Sequence, residues 1–277
     1  MDSVYGGPGM GAQKAAYQIS IVAETAAMNL QEFAAGLLDL VKAFETVPHF
    51  ILAALAHECG YPLVILRLCL AAYRLKRSVG ADGVYSKLVV ATRGITAGAG
   101  MATTELKLLL LPMMNKLHER WASTLVAKLY VDDLSLLVRG ATKFVVDTMA
   151  EVINFVAHYL EKTVLITVSR KKSNTIASKP SIAKAIADVV HDEVVKAASH
   201  AKVIGVDTVG GCKRCTFQQR SRISKKSGMQ SKCSALREIG LDVAQMARAI
   251  APPLMLYGVE NIGIADTLLH TVRVKSA

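Results

Sequence analysis

No apolar run in these 277 residues reaches the roughly 18–20 positions needed to cross a bilayer; His57, Glu58, Arg67, Lys107 and Lys116 break them up. The chain therefore reads as soluble. Residues 1–11 are rich in glycine and lack a basic cluster followed by a long apolar core, so no secretory leader is expected and an intracellular setting is. Cysteine is scarce. Cys212-x-x-Cys215 with Cys233 has the inner spacing of a zinc site but no fourth ligand, since His200 falls outside the usual spacing; reduced thiols are expected instead. No repeat of 20–50 residues is visible, which excludes a solenoid.

Acidic residues are the other shortage. Lys plus Arg number 33 against 22 Asp plus Glu. Residues 1–140 carry 13 basic against 11 acidic and residues 141–277 carry 20 against 11. From 208 to 237 there is no acid at all, while Lys213, Arg214, Arg220, Arg222, Lys225, Lys226, Lys232 and Arg237 fall there. Such a stretch attracts polyanions by counterion release. Charge alone does not separate nucleic acid from anionic membrane, and aromatics for base stacking are few. The lack of any balancing acid favours nucleic acid over an ordinary charged face.

What is present is an alternation of helical and strand-like stretches, which predicts an α+β sheet with helices on one face. Ile19, Val22, Ala23 and Ala26 place a helix over 12–34, and Ala35 to Leu40 reads as a short buried strand. Pro48 opens a helix to about Cys59, a second helix covers 62–77, and strand-like stretches follow at 84–92. A long helix is predicted over 103–120, then apolar strands at 125–131 and 134–138 around a tight acidic turn. Further helices are expected at 142–161 and from Pro180 to about Ser199. Strands are expected at 163–168, 173–178 and 203–206.

The acidic turn, Tyr130-Val131-Asp132-Asp133, carries the chemistry. Two like charges between apolar strands repel, and burying them requires cations. Mg²⁺ takes carboxylate oxygens, and a pair of such ions can clamp the attacking and leaving oxygens of phosphoryl transfer. A third carboxylate is then needed, and Asp39 ends an apolar strand. An Asp-Asp pair by itself is more often a solvated turn than a metal site; the motifs around it decide.

Leu37-Leu-Asp-Leu-Val-Lys-Ala-Phe-Glu-Thr-Val-Pro-His49 resembles the first palm motif of reverse transcriptases of the non-LTR retrotransposon and group II intron type, and Tyr-x-Asp-Asp their third. Arg93-Gly94-Ile95-Thr96-Ala97-Gly98 is similar to the second. Val168 to Ser173 resembles the lysine-bearing fourth, and Ala201 to Val206 the primer-grip strand. The resemblance covers roughly residues 20–210. It implies a ferredoxin-like polymerase palm at 35–210, preceded at 1–34 by a remnant of the fingers or palm entry. A basic, partial helical thumb follows at 211–277. Only 38 residues precede Asp39, so a fragment or truncated copy is expected.

The family's activity is RNA-directed DNA synthesis on an RNA template, with a DNA primer and dNTPs as substrates. Carried over, Asp39, Asp132 and Asp133 bind two Mg²⁺ ions, with Mn²⁺ as a substitute, and Lys172 assists the leaving pyrophosphate. Phe44 excludes a ribose 2′-hydroxyl, and Arg93, Gly94, Gly98 and Tyr130 contact template or nucleotide. Lys213, Arg214, Arg220, Arg222, Lys225 and Lys226 follow the nucleic-acid backbone. Read without the family, Phe44 is a core aromatic, the glycines mark a flexible connection, and Lys171 and Lys172 are a solvated strand end. Ala97 stands where the family commonly has Gln, and Thr103 and Thr104 where it has Ser-Pro. A decayed nucleic-acid-binding relic and an RNA-dependent RNA polymerase remain the competing readings.

Overall fold

The computed structural model describes residues 3–7, 9–96, 98–210 and 215–276. In chain order the elements are β1 (Val4–Tyr5), α1 (Ala12–Met28), β2 (Glu32–Leu38), α2 (Ala43–Thr46), α3 (His49–Glu58), α4 (Leu63–Tyr73), β3 (Gly80–Ala81), β4 (Val84–Tyr85) and α5 (Ala102–Trp121). Then come β5 (Leu125–Tyr130), β6 (Asp133–Gly140), α6 (Thr142–His158), β7 (Asn174–Ala177), α7 (Pro180–Val189), β8 (Lys196–Ala197), β9 (His200–Val203) and β10 (Val206–Val209). Helices α8 (Phe217–Glu238), α9 (Ala244–Leu256), α10 (Val259–Ile262) and α11 (Asp266–Ser276) end the chain.

Among the described residues one sheet runs β1-β5-β6-β2-β7-β8. Its four inner strands are antiparallel, and β1 and β8 join the edges in parallel. Period-2 alternation divides the inner strands between two faces. Ala34, Leu38, Leu134, Leu136 and Val138 join the larger core with α5 and α6. Helix α6 buries Val145, Met149, Val152, Ile153 and Val156, a stripe at helical spacing. It presses so closely on β2 that a Cβ on Gly36 would lie 3.1 Å from Ile153 and Met149. Each such large apolar side chain, fully buried, contributes roughly 1.5–3 kcal/mol.

The sequence-based expectation of helices on one face is corrected here. Phe33, Ala35, Leu37 and Leu137 face the other way and pack with Ile19 and Ala26 of α1 and with Ala201 and Val203 of β9. The second face is thus covered in part by α1 and by the antiparallel β9–β10 hairpin.

Other boundaries differ for local reasons. Helix α1 stops at Met28 rather than near 34, because Leu30 takes φ +52° and turns the chain into β2. The 84–92 stretch yields only the short β3–β4 pair and a bridge between Arg77 and Val89. A strand is expected at 163–168, yet α6 continues as a π-helical turn over Tyr159–Val164, Leu165 takes φ +59°, and only Val168 bridges, to Leu40. A clasp holds that segment: Glu161 accepts from Arg170 and from the Val168 N–H, which keeps its carboxyl below the usual carboxylate range. Helix α7 ends at Val189 rather than near Ser199, and the strand expected at 203–206 is two strands, β9 ending at Val203 and β10 starting at Val206, with a turn at 204–205. No helix among the described residues is long and apolar enough to cross a membrane.

Candidate active site

The pairing of β2 with β6 sets the site. Leu37 pairs with Ser135 and Leu38 with Leu134, so one step further Asp39 stands opposite Asp133. By alternation both belong to the sheet face that carries Leu37 and Leu137. Tyr130 pairs with Asp133 and shares that face. Val131 and Asp132 make the two-residue turn between β5 and β6, with Val131 at φ +59°. That conformation is strained for a β-branched residue, and such strain gathers at functional sites.

Asp39 is held from the backbone. Its N–H donates to Ser173 Oγ at 3.1 Å, and its carbonyl accepts from the Ser169 N–H at 2.8 Å. Leu40 bridges Val168, and the Val41 N–H reaches the Thr167 carbonyl at 2.9 Å. The lysine-bearing segment is thereby strapped beside the first acidic motif, which brings Lys172 Nζ to 3.3 Å from Asp39 Oδ2. The contact is ionic only, for Oδ2 is buried without a hydrogen-bond partner.

The three carboxylates feel one another. Burial, then the negative charges of Asp132 and Asp39, push Asp133 up to about 6, against the opposing pull of Lys202 and Lys172. Asp132 is also raised, by burial first and by Asp39, with its own backbone N–H and Lys172 opposing. Among the described residues, however, no three His, Cys, Asp or Glu side chains converge closely enough to hold a metal ion as they stand. Lys172 lies against Asp39.

The second motif is tied to the first. The Gly94 N–H donates to the Val47 carbonyl and the Ile95 N–H to the Phe44 carbonyl, both at 2.8 Å. Gly94 has φ +91°, and a Cβ there would meet the Glu45 carbonyl oxygen at 2.8 Å. The close approach that requires this glycine is therefore to the first motif's own backbone. Gly98, at φ +86°, has open space around it. Phe44 is half-buried against the larger core and Arg93 is exposed, while Ala97 lies outside the described residues.

Of the expected nucleic-acid contacts, Lys213 and Arg214 lie outside the described residues, Lys225 and Lys226 fall on α8, and Arg220 is exposed. Arg222 is engaged within the fold instead. It donates to the carbonyls of Gly205 and Tyr257 and lies 4.9 Å from the centre of the Tyr257 ring. With Tyr257 Oη donating to the Ile204 carbonyl at 2.9 Å, it clamps α8 to the hairpin that carries Lys202. Cys212 lies outside the described residues, and Cys215 and Cys233 are free thiols.

Sequence reasoning missed Ser173, Lys202 and His49. Ser173 and Lys202 sat within motifs already quoted but without a role. His49 closes the first motif, and nothing in its neighbours marked it.

The architecture is a mixed α+β fold shared with solved telomerase structures. Apo telomerase from Candida tropicalis superposes with a TM-score of 0.54 at 12% identity, over 80% of this chain and 38% of that one. Telomerase from Candida albicans, solved with a TWJ fragment of telomeric RNA, gives 0.51 at 11%, over 99% of this chain and 52% of that one. The chain thus spans about half or less of these relatives, and at such identity the likeness establishes the fold alone. No protein-family model and no curated protein matches the sequence.

Proposed function

We propose that this chain is the palm and partial thumb of an RNA-directed DNA polymerase of retroelement type, which extends a primer 3′-hydroxyl with dNTPs on an RNA template. The observation that supports it most is the β2–β6 register, which sets Asp39 beside Asp133 on one face of the sheet with Asp132 in the adjoining turn. The fold, like that of the telomerases, agrees with it.

The donor set suits hard divalent cations: three carboxylates, one with a buried oxygen lacking any hydrogen bond and two with raised affinity for protons. Asp39, Asp132 and Asp133 would hold Mg²⁺, or Mn²⁺ in its place, after Lys172 releases Asp39. When bound, such ions would neutralise charge on the triphosphate and lower the pKa of the attacking hydroxyl.

The chain's own groups do the rest. The Lys172 ammonium, mostly exposed, swings from Asp39 to the departing pyrophosphate. The Phe44 ring closes the space beside the sugar C2′, while Arg93, Gly94 and Gly98 line the nucleotide and template side. Tyr130 supports the primer end from the same sheet face as Asp133. Lys213, Arg214, Arg220, Lys225 and Lys226 track the duplex backbone.

Primer extension on an RNA template tests this. The chain should incorporate dNTPs in Mg²⁺, and Phe44→Ala should raise ribonucleotide use relative to dNTPs by roughly tenfold or more. A second reading, a relic that binds nucleic acid without turnover, is favoured by the Lys172–Asp39 pair and by the unconverged carboxylates. Salt-sensitive duplex binding with no extension would establish it in place of the polymerase.

A further inference from the structure

We propose that His49 is a positioning residue that fixes the nucleotide-side loop of the second motif against Phe44. The inference rests on the polymerase reading for its kinetic consequence, though not for its structural one. His49 is buried, 1% exposed, at the start of α3. Its Nε2 lies 2.7 Å from the Gly94 carbonyl oxygen, and its Nδ1 lies 3.2 Å from Arg74 Nε. A guanidinium only donates, so Nδ1 carries no proton and accepts. Nε2 then carries the proton and donates to Gly94. Arg74, one residue beyond α4, thus selects the tautomer that grips the loop.

The grip completes a set. The Gly94 N–H is already held by Val47, the Ile95 N–H by Phe44, and Arg93 bridges Pro48. His49 adds the Gly94 carbonyl, so both polar groups of that residue are bound to the 47–49 stretch. The Tyr73 ring, centred 6.3 Å from the imidazole, backs it. Tyr73 is anchored in turn by donating its hydroxyl to buried Glu105 of α5 at 2.7 Å. The loop that carries Arg93 and Gly98 is therefore held to Phe44 and Val47 by backbone bonds, to which His49 adds a side-chain bond from an imidazole whose orientation is fixed from both nitrogens. A loose loop weakens nucleotide binding and widens the gate at the sugar, while the carboxylates at the end of β2 stay as they are.

The test compares His49→Ala, His49→Gln and Arg74→Ala in the full chain. Glutamine's amide can still donate to the Gly94 carbonyl. Hydrogen exchange of amides 94–96 should quicken about tenfold in His49→Ala, the effect of about one lost hydrogen bond. It should return to near the wild-type rate in His49→Gln and lie between in Arg74→Ala. In primer extension His49→Ala should raise KM for dNTP about tenfold with kcat changed less than about twofold, and should discriminate less against ribonucleotides. Imidazole nitrogen chemical shifts of the wild type should report a bare Nδ1. Unchanged loop exchange in His49→Ala, a protonated Nδ1, or a lowered kcat at constant KM would overturn the proposal. If the wild-type chain does not extend primers, the polymerase reading fails while exchange and tautomer still decide the role of His49.

Discussion

Asp133→Asn is expected to abolish primer extension and, in chelator, to make the protein more stable. Asp133 is an acid whose pKa is pushed up to about 6 by burial and by the charges of Asp132 and Asp39. A raised carboxyl means that the folded state holds its proton more tightly than the unfolded chain. Stability therefore falls as pH rises from about 4 through about 6 and stays reduced above that. The asparagine removes this penalty. After discounting for solvent screening at a half-buried group, a gain on the order of 1–2 kcal/mol is expected above pH 7, or about 2–4 °C in Tm. Below pH 4 the two proteins should melt together, and thermal melts in EDTA across that range check it. Equal melting temperatures at pH 7 would mean that the acidic turn is well solvated and carries no stored repulsion of the kind functional sites hold.

Gly94→Ala should be among the most destabilising single substitutions in this part of the fold. The new Cβ would meet the Glu45 carbonyl oxygen at 2.8 Å, and φ +91° is unfavourable for any side chain. Both faults fall on backbone, which has no flexible end to move aside. A loss on the order of 1–3 kcal/mol is expected, together with displacement of the loop that Val47, Phe44 and His49 hold. Gly98→Ala, with open space but φ +86°, should be milder. Chemical denaturation of the two variants against wild type gives the order directly.

The acidic turn and its flanking strands were legible because the pattern there is local: two apolar runs meet at a pair of charges that no core would accept. The partnership of Asp39 with Asp133 was suggested only by the family resemblance, since it depends on which strands neighbour each other, and β2 pairs with a strand about a hundred residues further on. The covering of the second sheet face by α1 was hidden for a related reason. Ile19 and Ala26 announced a buried stripe but not what they meet. A strand was expected at 163–168, and a π-helical turn fastened by Glu161 and Arg170 takes its first residues, leaving Val168 to bridge Leu40. His49 reads in sequence as one polar residue beside an apolar helix; its role exists only once Arg74 and Gly94 arrive from two other segments. The basic stretch was read as a single nucleic-acid surface, whereas Arg222 holds α8 to the β9–β10 hairpin.

The account stands on Asp39, Asp132 and Asp133 closing together around divalent cations. Mn²⁺ binding followed by electron paramagnetic resonance, with a duplex and a non-hydrolysable dNTP present, tests that closure most directly. The wild-type chain is expected to take up two ions, with affinity lost in Asp39→Asn as fully as in Asp132→Asn or Asp133→Asn. Undiminished binding in Asp39→Asn would contradict it, because the first acidic residue would then stand outside the site that the other two define.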